Sequence, residues 1–295
     1  MDFKLFTQTY RKREGIFAFT TDHQEKKRIF RTLEDFSFGV NTLAIGTLKY
    51  PVRVLCYVLM DNHLHVLLKG TPEDCTAYFK WVLHRLALML KARYGIRGLL
   101  KADASDVQVV KDNNMFLNEV AYHLRNAYKA RMSSPFSYPW TPFEVYFNPY
   151  LDLLKGERFQ TPDAARRVLG THAKIPPDWE HLSGRILNKC FVDYRTVEEL
   201  FGTSVAFFDR VRKYDMESII AQAHGVEEQL AFTDSEMQEK VQALCQNEWH
   251  VESPHQLNRK DLLHLARALA RRFGASKKQL SRLLGIDQQV LDQAL

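Results

Sequence analysis

The stretch that decides the predicted fold reads Tyr57-Val58-Leu59-Met60-Asp61-Asn62-His63-Leu64-His65-Val66-Leu67-Leu68. Two short apolar segments flank Asp61-Asn62, and this pattern predicts two strands joined by a turn. Because side chains alternate along a strand, His63 and His65 should share one face while Leu64 points into the core. Two imidazoles on one face can bind a single cation. The alternative is that both are half-buried histidines on a sheet face, with no ligand.

A helix is predicted from about residue 113 to residue 132. On a helical wheel its apolar stripe holds five core candidates: Leu117, Val120, Ala121, Leu124 and Tyr128. The opposite side carries four polar or aromatic residues: Glu119, Tyr122, His123 and Asn126. Tyr122 and Asn126 are one turn apart, so they can reach the same small target. For Tyr122 the alternative is an ordinary half-exposed aromatic.

A tyrosine on a polar helix face near a metal site can serve as a nucleophile. A free phenol ionises with a pKa near 10, so only about one in a thousand is ionised at pH 7. It therefore needs an activated target or a base. A divalent cation held by His63, His65 and Asn126 would polarise a phosphate. Attack by Tyr122 would then leave DNA covalently joined to the protein.

The remaining patterns predict an α+β fold with helices on a mainly antiparallel sheet. Strands are predicted near residues 3–9, 15–20, 40–48 and 52–60, and helices at 22–36 and 72–94. Residues 133–149 are dense in aromatic residues and prolines. They are interpreted either as an irregular tail packed over the domain or as a platform on which unpaired bases stack.

The net charge of +6 is unevenly distributed. Residues 1–155 carry 22 Lys and Arg against 15 Asp and Glu, residues 156–254 carry 11 against 17, and residues 255–295 carry 8 against 3. Basic ends around an acidic middle predict a polyanion partner for the two ends. The four cysteines have no metal-site spacing, which favours reduced thiols. No apolar run reaches about 18 residues, so we expect a cytoplasmic protein without a membrane partner.

The sequence after residue 155 is predicted to be all-α. Residues 156–254 form an acidic helical region, and residues 255–295 a basic module whose pattern is similar to a helix-turn-helix. Its predicted helices are Asp261 to Phe273, Lys277 to Leu284, and a third from Asp287 to the last residues. The third helix contains no Arg or Lys, so base reading by it is not expected. The preceding helices supply basic residues suited to phosphate contacts: Arg267, Arg271, Arg272, Lys277, Lys278 and Arg282.

Three blocks of this sequence resemble a known family, the REP-associated tyrosine transposases among the single-tyrosine HUH transposases. Met60 to Leu68 resembles the family block MPNHVHLLL, Ala121 to Arg131 resembles RYIHLNPVRAG, and Tyr138 to Phe143 resembles YPWSSY. The blocks occur in the family's order, and the resemblance as a whole covers roughly residues 1–150. The chain departs from the family at Asp61 and Ala127, each of which stands where the family has proline.

The resemblance implies a ferredoxin-like HUH nuclease domain over residues 1–155. It implies a metal-dependent single-stranded DNA endonuclease and strand transferase that acts beside hairpin DNA through a 5′-phosphotyrosine. His63 and His65 would be metal ligands with Asn126 completing the shell, and Tyr122 the nucleophile. The family points to Mg²⁺ or Mn²⁺, whereas imidazole and amide ligands alone would also allow Zn²⁺. A homodimer of the catalytic domain is a further expectation.

DNA contacts are predicted for basic residues of the catalytic helix and of the C-terminal module: Arg125, Lys129, Arg131, Arg271, Arg272, Lys277 and Lys278. Two alternatives stay open. One is a non-catalytic regulator that binds hairpin DNA on the same scaffold. The other is a relaxase or replication initiator that shares the histidine pair.

Overall fold

An antiparallel sheet of four strands forms the centre of the first part of the chain in the computed structural model. The strands are β1 (Gly15–Thr21), β2 (Arg53–Leu59), β3 (Leu64–Gly70) and β4 (Ser105–Val110), in the spatial order β2-β3-β1-β4. β2 and β3 are almost wholly buried and rich in Val and Leu, as suits strands covered on both faces. The predicted α+β class with a mainly antiparallel sheet is confirmed.

The structure describes residues 13–21, 28–100, 105–129, 134–212, 234–273, 275, 277–287 and 290–291. Contacts divide the chain into two units, Met1–Asp215 and Met216–Leu295. Each unit has its own hydrophobic core. This division differs from the three parts predicted with boundaries at residues 155 and 254, because the acidic region contributes to both cores.

Two helices connect the strands and pack against each other and against the sheet: α1 (Leu33–Lys49) and α2 (Pro72–Tyr94). Thr32 caps α1 by accepting a hydrogen bond from the Asp35 amide at 3.3 Å. α2 ends at Gly95, whose φ of 67° is the left-handed conformation that favours glycine. The predicted extent of α2 is confirmed.

The predicted strand at residues 40–48 is wrong, because these residues form most of α1. This stretch is rich in Val, Ile and Thr, which favour strands, but burial against the sheet and α2 holds it in a helix instead. The predicted helix at 22–36 is only partly testable, since residues 22–27 lie outside the described residues. Its described part becomes helical only at Leu33. The predicted strand at 3–9 also lies outside the described residues.

A third helix, α3 (Asn113–Lys129), packs against β2 and β3. Phe19 of β1 contacts Phe79 of α2 with ring centroids 5.0 Å apart, so this side chain lies on the α2 side of the sheet. The next residue, Thr20, points to the opposite side and pairs across strands with His65. Two rings of α3, those of Tyr122 and His123, approach His65 on that side. The two faces of the sheet are therefore covered by different helices.

The aromatic segment after α3 is packed onto the sheet. Tyr138, Trp140 and Tyr146 are at most 8% exposed. The Tyr138 hydroxyl donates to the Leu59 carbonyl at 2.7 Å, and the Tyr146 hydroxyl donates to the Leu55 carbonyl at 2.5 Å. These three rings are therefore part of the core and are not exposed for stacking on bases. For these three rings the interpretation as a packed tail fits, whereas Phe136 of the same segment is 38% exposed.

Residues 156–212 are not all-α, and this part of the prediction is wrong. They form a three-stranded antiparallel sheet and short helices: β5 (Glu157–Arg158), α4 (Pro162–Leu169), β6 (Glu180–Leu182), β7 (Arg185–Ile186), α5 (Tyr194–Phe201) and a helical stretch at 204–212. Ser183 and Gly184 join β6 to β7 with φ of 50° and 82°. Two positive φ angles are what a two-residue hairpin turn of type I′ requires.

This small sheet belongs to the first unit. Val54 of β2 forms a bridge with Val192, and the Asn41 amide donates to the Gly184 carbonyl at 2.8 Å. Val211 is buried in the same core as the four-stranded sheet.

Short 3₁₀ helices occur at Phe143–Val145, Leu151–Leu153, Asn188–Cys190 and Pro254–Gln256.

The second unit contains α6 (Asp234–Trp249), α7 (Arg259–Phe273) and α8 (Lys277–Leu284) around one core. The predicted bounds of α8 are confirmed, and α7 begins two residues earlier than predicted. Of the predicted third helix from Asp287, only residues 290 and 291 are described, and both are helical. Among the helices that the structure describes, none is long and apolar enough to cross a membrane.

Candidate functional site

The two histidines lie side by side where β3 begins, with His63 directly before the strand and His65 as its second residue. Their ring centroids are 4.9 Å apart, and each residue is 6% exposed. His65 pairs with Val58 of β2 and Thr20 of β1, which places it in the interior of the sheet. Thr21 accepts a hydrogen bond from the Leu64 amide at 3.1 Å and so fixes the beginning of the strand. The expectation that both rings share one face agrees with this geometry.

Helix α3 brings two more rings to the same place. The Tyr122 ring lies 5.5 Å from the His65 ring, and the His123 ring lies 5.4 Å from it. Tyr122 and His123 are themselves 6.0 Å apart. We call His63, His65, Tyr122 and His123 the histidine–tyrosine cluster. Residues from a strand and from a helix that are distant in sequence are thus assembled at one site.

Burial of the cluster is greater than the sequence predicts. Tyr122 is 6% exposed, His123 1% and Asn126 5%. The helical wheel places these residues on a polar side, where partial exposure is expected. In the structure, that side contacts β3 through His65. The sequence separates polar from apolar faces but does not reveal that the polar face packs on a sheet.

The His63 ring is oriented by its neighbour in the turn. Its Nδ1 lies 2.7 Å from Asn62 Oδ1. When Nδ1 donates this hydrogen bond, the lone pair remains on Nε2, which is the atom available to a metal. Asn62 was predicted only as a turn residue, so its orienting contact was missed. An amide placed directly before a candidate ligand is the signal that could have indicated it.

His123 is the other residue to which sequence reasoning assigned no role. Its Nδ1 donates to the Glu119 carbonyl at 2.7 Å, one turn earlier in α3. Burial lowers the pKa of His123 to about 4, so the ring is neutral at pH 7. Its Nε2 is buried and has no hydrogen-bond partner among the described residues. A neutral imidazole with a buried lone pair can accept a proton or bind a cation.

The donors that would hold a divalent cation are the imidazoles of His63 and His65, with Asn126 one helical turn after Tyr122. The bond between His63 and Asn62 is the kind of outer contact that orients a ligating histidine. Asn126 is buried, and its amide nitrogen lies 3.5 Å from the Tyr122 carbonyl, so its position in the helix is fixed. Within the described residues no group of three or more His, Cys, Asp or Glu has the geometry of a metal site. The metal role of these three residues stays a prediction.

The predicted DNA-contacting residues are placed differently from one another. Arg125 is 5% exposed and its Nε donates to the Ala121 carbonyl at 3.0 Å. The prediction that Arg125 contacts DNA phosphates is therefore not supported, because its guanidinium is held inside the protein. The side chain of Lys129 and all of Arg131 lie outside the described residues.

The C-terminal candidates belong to α7 and α8 of the second unit. Arg271 and Arg272 are exposed on α7, and Lys277 is half-buried at the start of α8. Arg272 forms an ion pair with Glu248 at 2.7 Å, which reduces its availability to a phosphate. Nothing is described of the Lys278 side chain.

Comparisons with known proteins give little beyond this geometry. No protein-family model and no curated protein matches the chain. One solved structure, that of a REP-associated tyrosine transposase bound to a REP hairpin, matches 46% of this chain and 82% of its own chain. The two share 12% sequence identity, with a TM-score of 0.36. Similarity at this level does not establish a common fold, so no conclusion about function rests on it.

Proposed function

We propose that the first unit is a metal-dependent single-stranded DNA endonuclease and strand transferase in which Tyr122 is the nucleophile. The observation that carries this proposal is the approach of the Tyr122 ring to within 5.5 Å of the His65 ring. Tyr122 would supply the nucleophile, and His63, His65 and Asn126 would supply donors for a cation that activates the phosphate. The same residues carry the resemblance to single-tyrosine HUH transposases.

The chain order βαββαβ and the strand order β2-β3-β1-β4 support a ferredoxin-like assignment for the catalytic domain. In that arrangement β3 is a central strand, so its side chains are fixed by neighbours on both sides. A central strand is a rigid support for catalytic groups. α3 follows the sixth element and presents Tyr122 to that strand.

In the proposed reaction the Tyr122 Oη–phosphorus bond forms while the bond from phosphorus to the 3′-oxygen breaks. The proton of the phenol ends on the departing 3′-oxygen, and the 5′-phosphate remains joined to Tyr122. Rejoining reverses these steps, with a 3′-hydroxyl as the attacking group. A Mg²⁺ or Mn²⁺ ion held by His63, His65 and Asn126 would neutralise charge that develops on the phosphate. His123 is neutral at pH 7, so it places no positive charge beside the Tyr122 phenol.

The partner in this proposal is single-stranded or hairpin DNA. The second unit would add phosphate contacts from Arg271 and Lys277, and dimerisation of the catalytic domain belongs to the same proposal. Affinity for DNA should fall steeply with salt, because phosphate contacts release counterions. Random duplex should bind more weakly than a hairpin with single-stranded flanks in a gel-shift titration.

One observation favours a second candidate, a regulator that binds hairpin DNA without cutting it. Tyr122 is only 6% exposed, whereas a nucleophile must reach a phosphate. A buried tyrosine in contact with histidines also serves as ordinary packing. The two candidates differ in one measurable property, the formation of a covalent protein–DNA adduct.

The experiment is incubation of labelled hairpin DNA with the full chain and Mn²⁺, followed by a denaturing gel. Tyr122→Phe removes one oxygen and should abolish the adduct while DNA affinity changes by less than about 1 kcal/mol. Tyr146→Phe is the matched control, because it removes a buried hydroxyl that bonds the Leu55 carbonyl. This control should lose about 1 kcal/mol of stability and keep the adduct.

His63→Ala and His65→Ala should also abolish the adduct, and a Mn²⁺ titration should show weaker metal binding in both. An adduct that persists in Tyr122→Phe would refute the assignment of the nucleophile. If the native chain forms no adduct on any hairpin, including hairpins from the DNA beside its own gene, the result would favour a regulator that binds hairpin DNA without cutting it.

A further inference from the structure

A cavity of about 310 Å³ lies within the first unit, apart from the histidine–tyrosine cluster. It is lined by residues of the aromatic segment 136–145, by Leu154 and Lys155, and by residues 182–189 around β7. Its volume is at the lower end of the range of ligand pockets, large enough for one flat heterocycle. Apolar walls and a small number of fixed polar groups are the usual composition of such pockets.

A hydrogen-bonded chain fixes the polar groups of this cavity. The Tyr57 hydroxyl donates to Asn188 Oδ1 at 2.6 Å, so the Asn188 amide nitrogen must point the other way. That nitrogen donates to Glu144 Oε1 at 2.7 Å and to the Thr141 carbonyl at 3.2 Å. The Glu144 carboxylate is thus held by a buried network and still lines the cavity.

The surroundings of Glu144 combine two properties. The residue as a whole is exposed, yet desolvation by the surrounding protein raises the pKa of its carboxyl group. A group that is both accessible and partly desolvated lies in a recess rather than on a flat surface. Phe136 and Phe143 form an aromatic wall, with ring centroids 5.3 Å apart, and Phe136 is 38% exposed. An exposed aromatic ring beside a carboxylate offers a stacking face and hydrogen-bond acceptors together.

Three basic residues line the same cavity: Lys155, Arg185 and Lys189. Lys189 is engaged by Glu180 at 2.8 Å. Arg185 lies over the Trp140 ring at 5.3 Å and donates to the Pro139 carbonyl at 3.1 Å. Lys155 is exposed, and its ammonium forms no ion pair with a described residue. The cavity lining therefore combines basic side chains with the Glu144 carboxylate.

We propose that this cavity binds one unpaired base of the DNA strand, a base that carries an exocyclic amino group. The amino group of cytosine, adenine or guanine donates to Glu144, the ring contacts Phe136, and the adjacent phosphate is neutralised by Lys155. Thymine has no amino group, and its one ring donor, N3–H, lies between two carbonyl oxygens that the carboxylate would repel. This inference rests on the proposed function, since it assigns to the same DNA strand a second point of contact.

The cavity is physically connected to the strands that carry the cluster. Tyr138, which lines the cavity, donates to the Leu59 carbonyl at 2.7 Å, and the Leu59 amide donates to the Trp140 carbonyl at 3.1 Å. Leu59 ends β2 and pairs with Leu64, the residue between the two histidines. One aromatic segment thus forms part of the cavity and is bonded to the strand end beside His63 and His65.

The test measures the affinity of the full chain for the fluorescent oligonucleotides (dC)₁₀, (dA)₁₀ and (dT)₁₀, with EDTA present so that no cleavage is required. The native chain should bind (dC)₁₀ and (dA)₁₀ about tenfold more tightly than (dT)₁₀, a ratio within the range of one hydrogen-bonded base contact. Glu144→Gln should bring this ratio close to one. Glu199→Gln, the same change at an exposed glutamate of α5, is the matched control and should leave it unchanged.

Two further variants separate recognition from misfolding. Lys155→Ala changes an exposed side chain and should weaken the binding of all three oligonucleotides equally. The salt dependence of the affinity should fall by the equivalent of about one phosphate contact. Phe136→Ala should lower the affinity for all three oligonucleotides by about five- to tenfold, because the base loses its stacking contact. Equal affinity of the native chain for (dC)₁₀ and (dT)₁₀, or an unchanged ratio in a folded Glu144→Gln, would overturn the proposal.

The result is independent of the nuclease test. An adduct at Tyr122 with no base preference refutes the base pocket and leaves the nuclease intact. A base preference that depends on Glu144, with no adduct, supports the pocket and leaves the chain as a DNA-binding regulator.

Discussion

Lowering the pH from about 7.5 to 5 should destabilise the first unit through His123. This ring is 1% exposed, and burial lowers its pKa from 6.5 to about 4, against the small opposite effect of the Glu119 carbonyl. In the unfolded chain His123 therefore binds a proton below about pH 6.5, whereas in the folded chain it binds one only below about pH 4. Stability linked to this group is complete above pH 6.5 and is lost as the pH falls toward 4.

The size of the effect follows from the shift. Each pKa unit corresponds to about 1.4 kcal/mol, so the full loss is about 3 kcal/mol, of which about 2 kcal/mol is lost between pH 7.5 and 5. The variant His123→Phe keeps a ring of similar size and removes the titrating group. Its free energy of unfolding should fall by about 2 kcal/mol less than that of the native chain over the same pH interval.

Urea unfolding of both proteins at the two pH values measures this difference, with EDTA present because a bound metal would compete with protons. The control is His84→Gln at an exposed histidine of α2, which separates loss of the buried ring from loss of a histidine in general. Equal pH dependence in His123→Phe and the native chain would refute the conclusion that His123 is buried in its neutral form. It would also remove the reason to treat that ring as a neutral member of the cluster.

Two other predictions concern residues that the structure places differently from the sequence. Arg125→Met keeps the apolar stem and removes the guanidinium that donates to the Ala121 carbonyl, so it should cost about 1–3 kcal/mol in thermal or urea unfolding. The slope of log DNA affinity against log salt concentration should not change. A slope reduced by the equivalent of about one phosphate contact would instead show that Arg125 binds DNA. Truncation at Ser253 removes α7 and α8, so the apolar side chains of α6, such as Met237 and Val241, should lose the helices that they pack against. Circular dichroism should then show loss of α6, whereas a helical α6 that survives the truncation would contradict the shared core.

Local signals predicted several elements correctly because they are set within a few residues. Thr71, Pro72 and the first-turn acids mark the start of α2, and Gly95 marks its end. The turn at Asp61-Asn62 fixes the register of β2 and β3, so the shared face of His63 and His65 follows from alternation alone. The same holds for Tyr122 and Asn126, which are related by one helical turn.

The failures occur where tertiary packing decides. Residues 40–48 contain Val40, Thr42, Ile45 and Thr47, residue types that favour strands. The capping signal at Thr32, which would have identified a helix, lies eight positions earlier. The hairpin of β6 and β7 depends on Ser183-Gly184, a short turn signal within a region that otherwise reads as helical. Contact between His123 and His65 joins a helix to a strand, and no pattern within one sequence reports which helix face meets which strand.

The division into two units also changes what the charge distribution means. Residues 1–215 carry 32 Lys and Arg against 24 Asp and Glu, whereas residues 216–295 carry 9 against 11. The basic character predicted for both ends of the chain therefore belongs to the first unit, and the second unit is slightly acidic as a whole. A polyanion is attracted mainly to the unit that holds the histidine–tyrosine cluster and the cavity at Glu144. The basic residues of α7 and α8 act against the acids of their own unit, as the ion pair between Arg272 and Glu248 illustrates. Most of the electrostatic contribution to DNA affinity should accordingly come from the first unit, so the C-terminal module should not be the main source of DNA affinity.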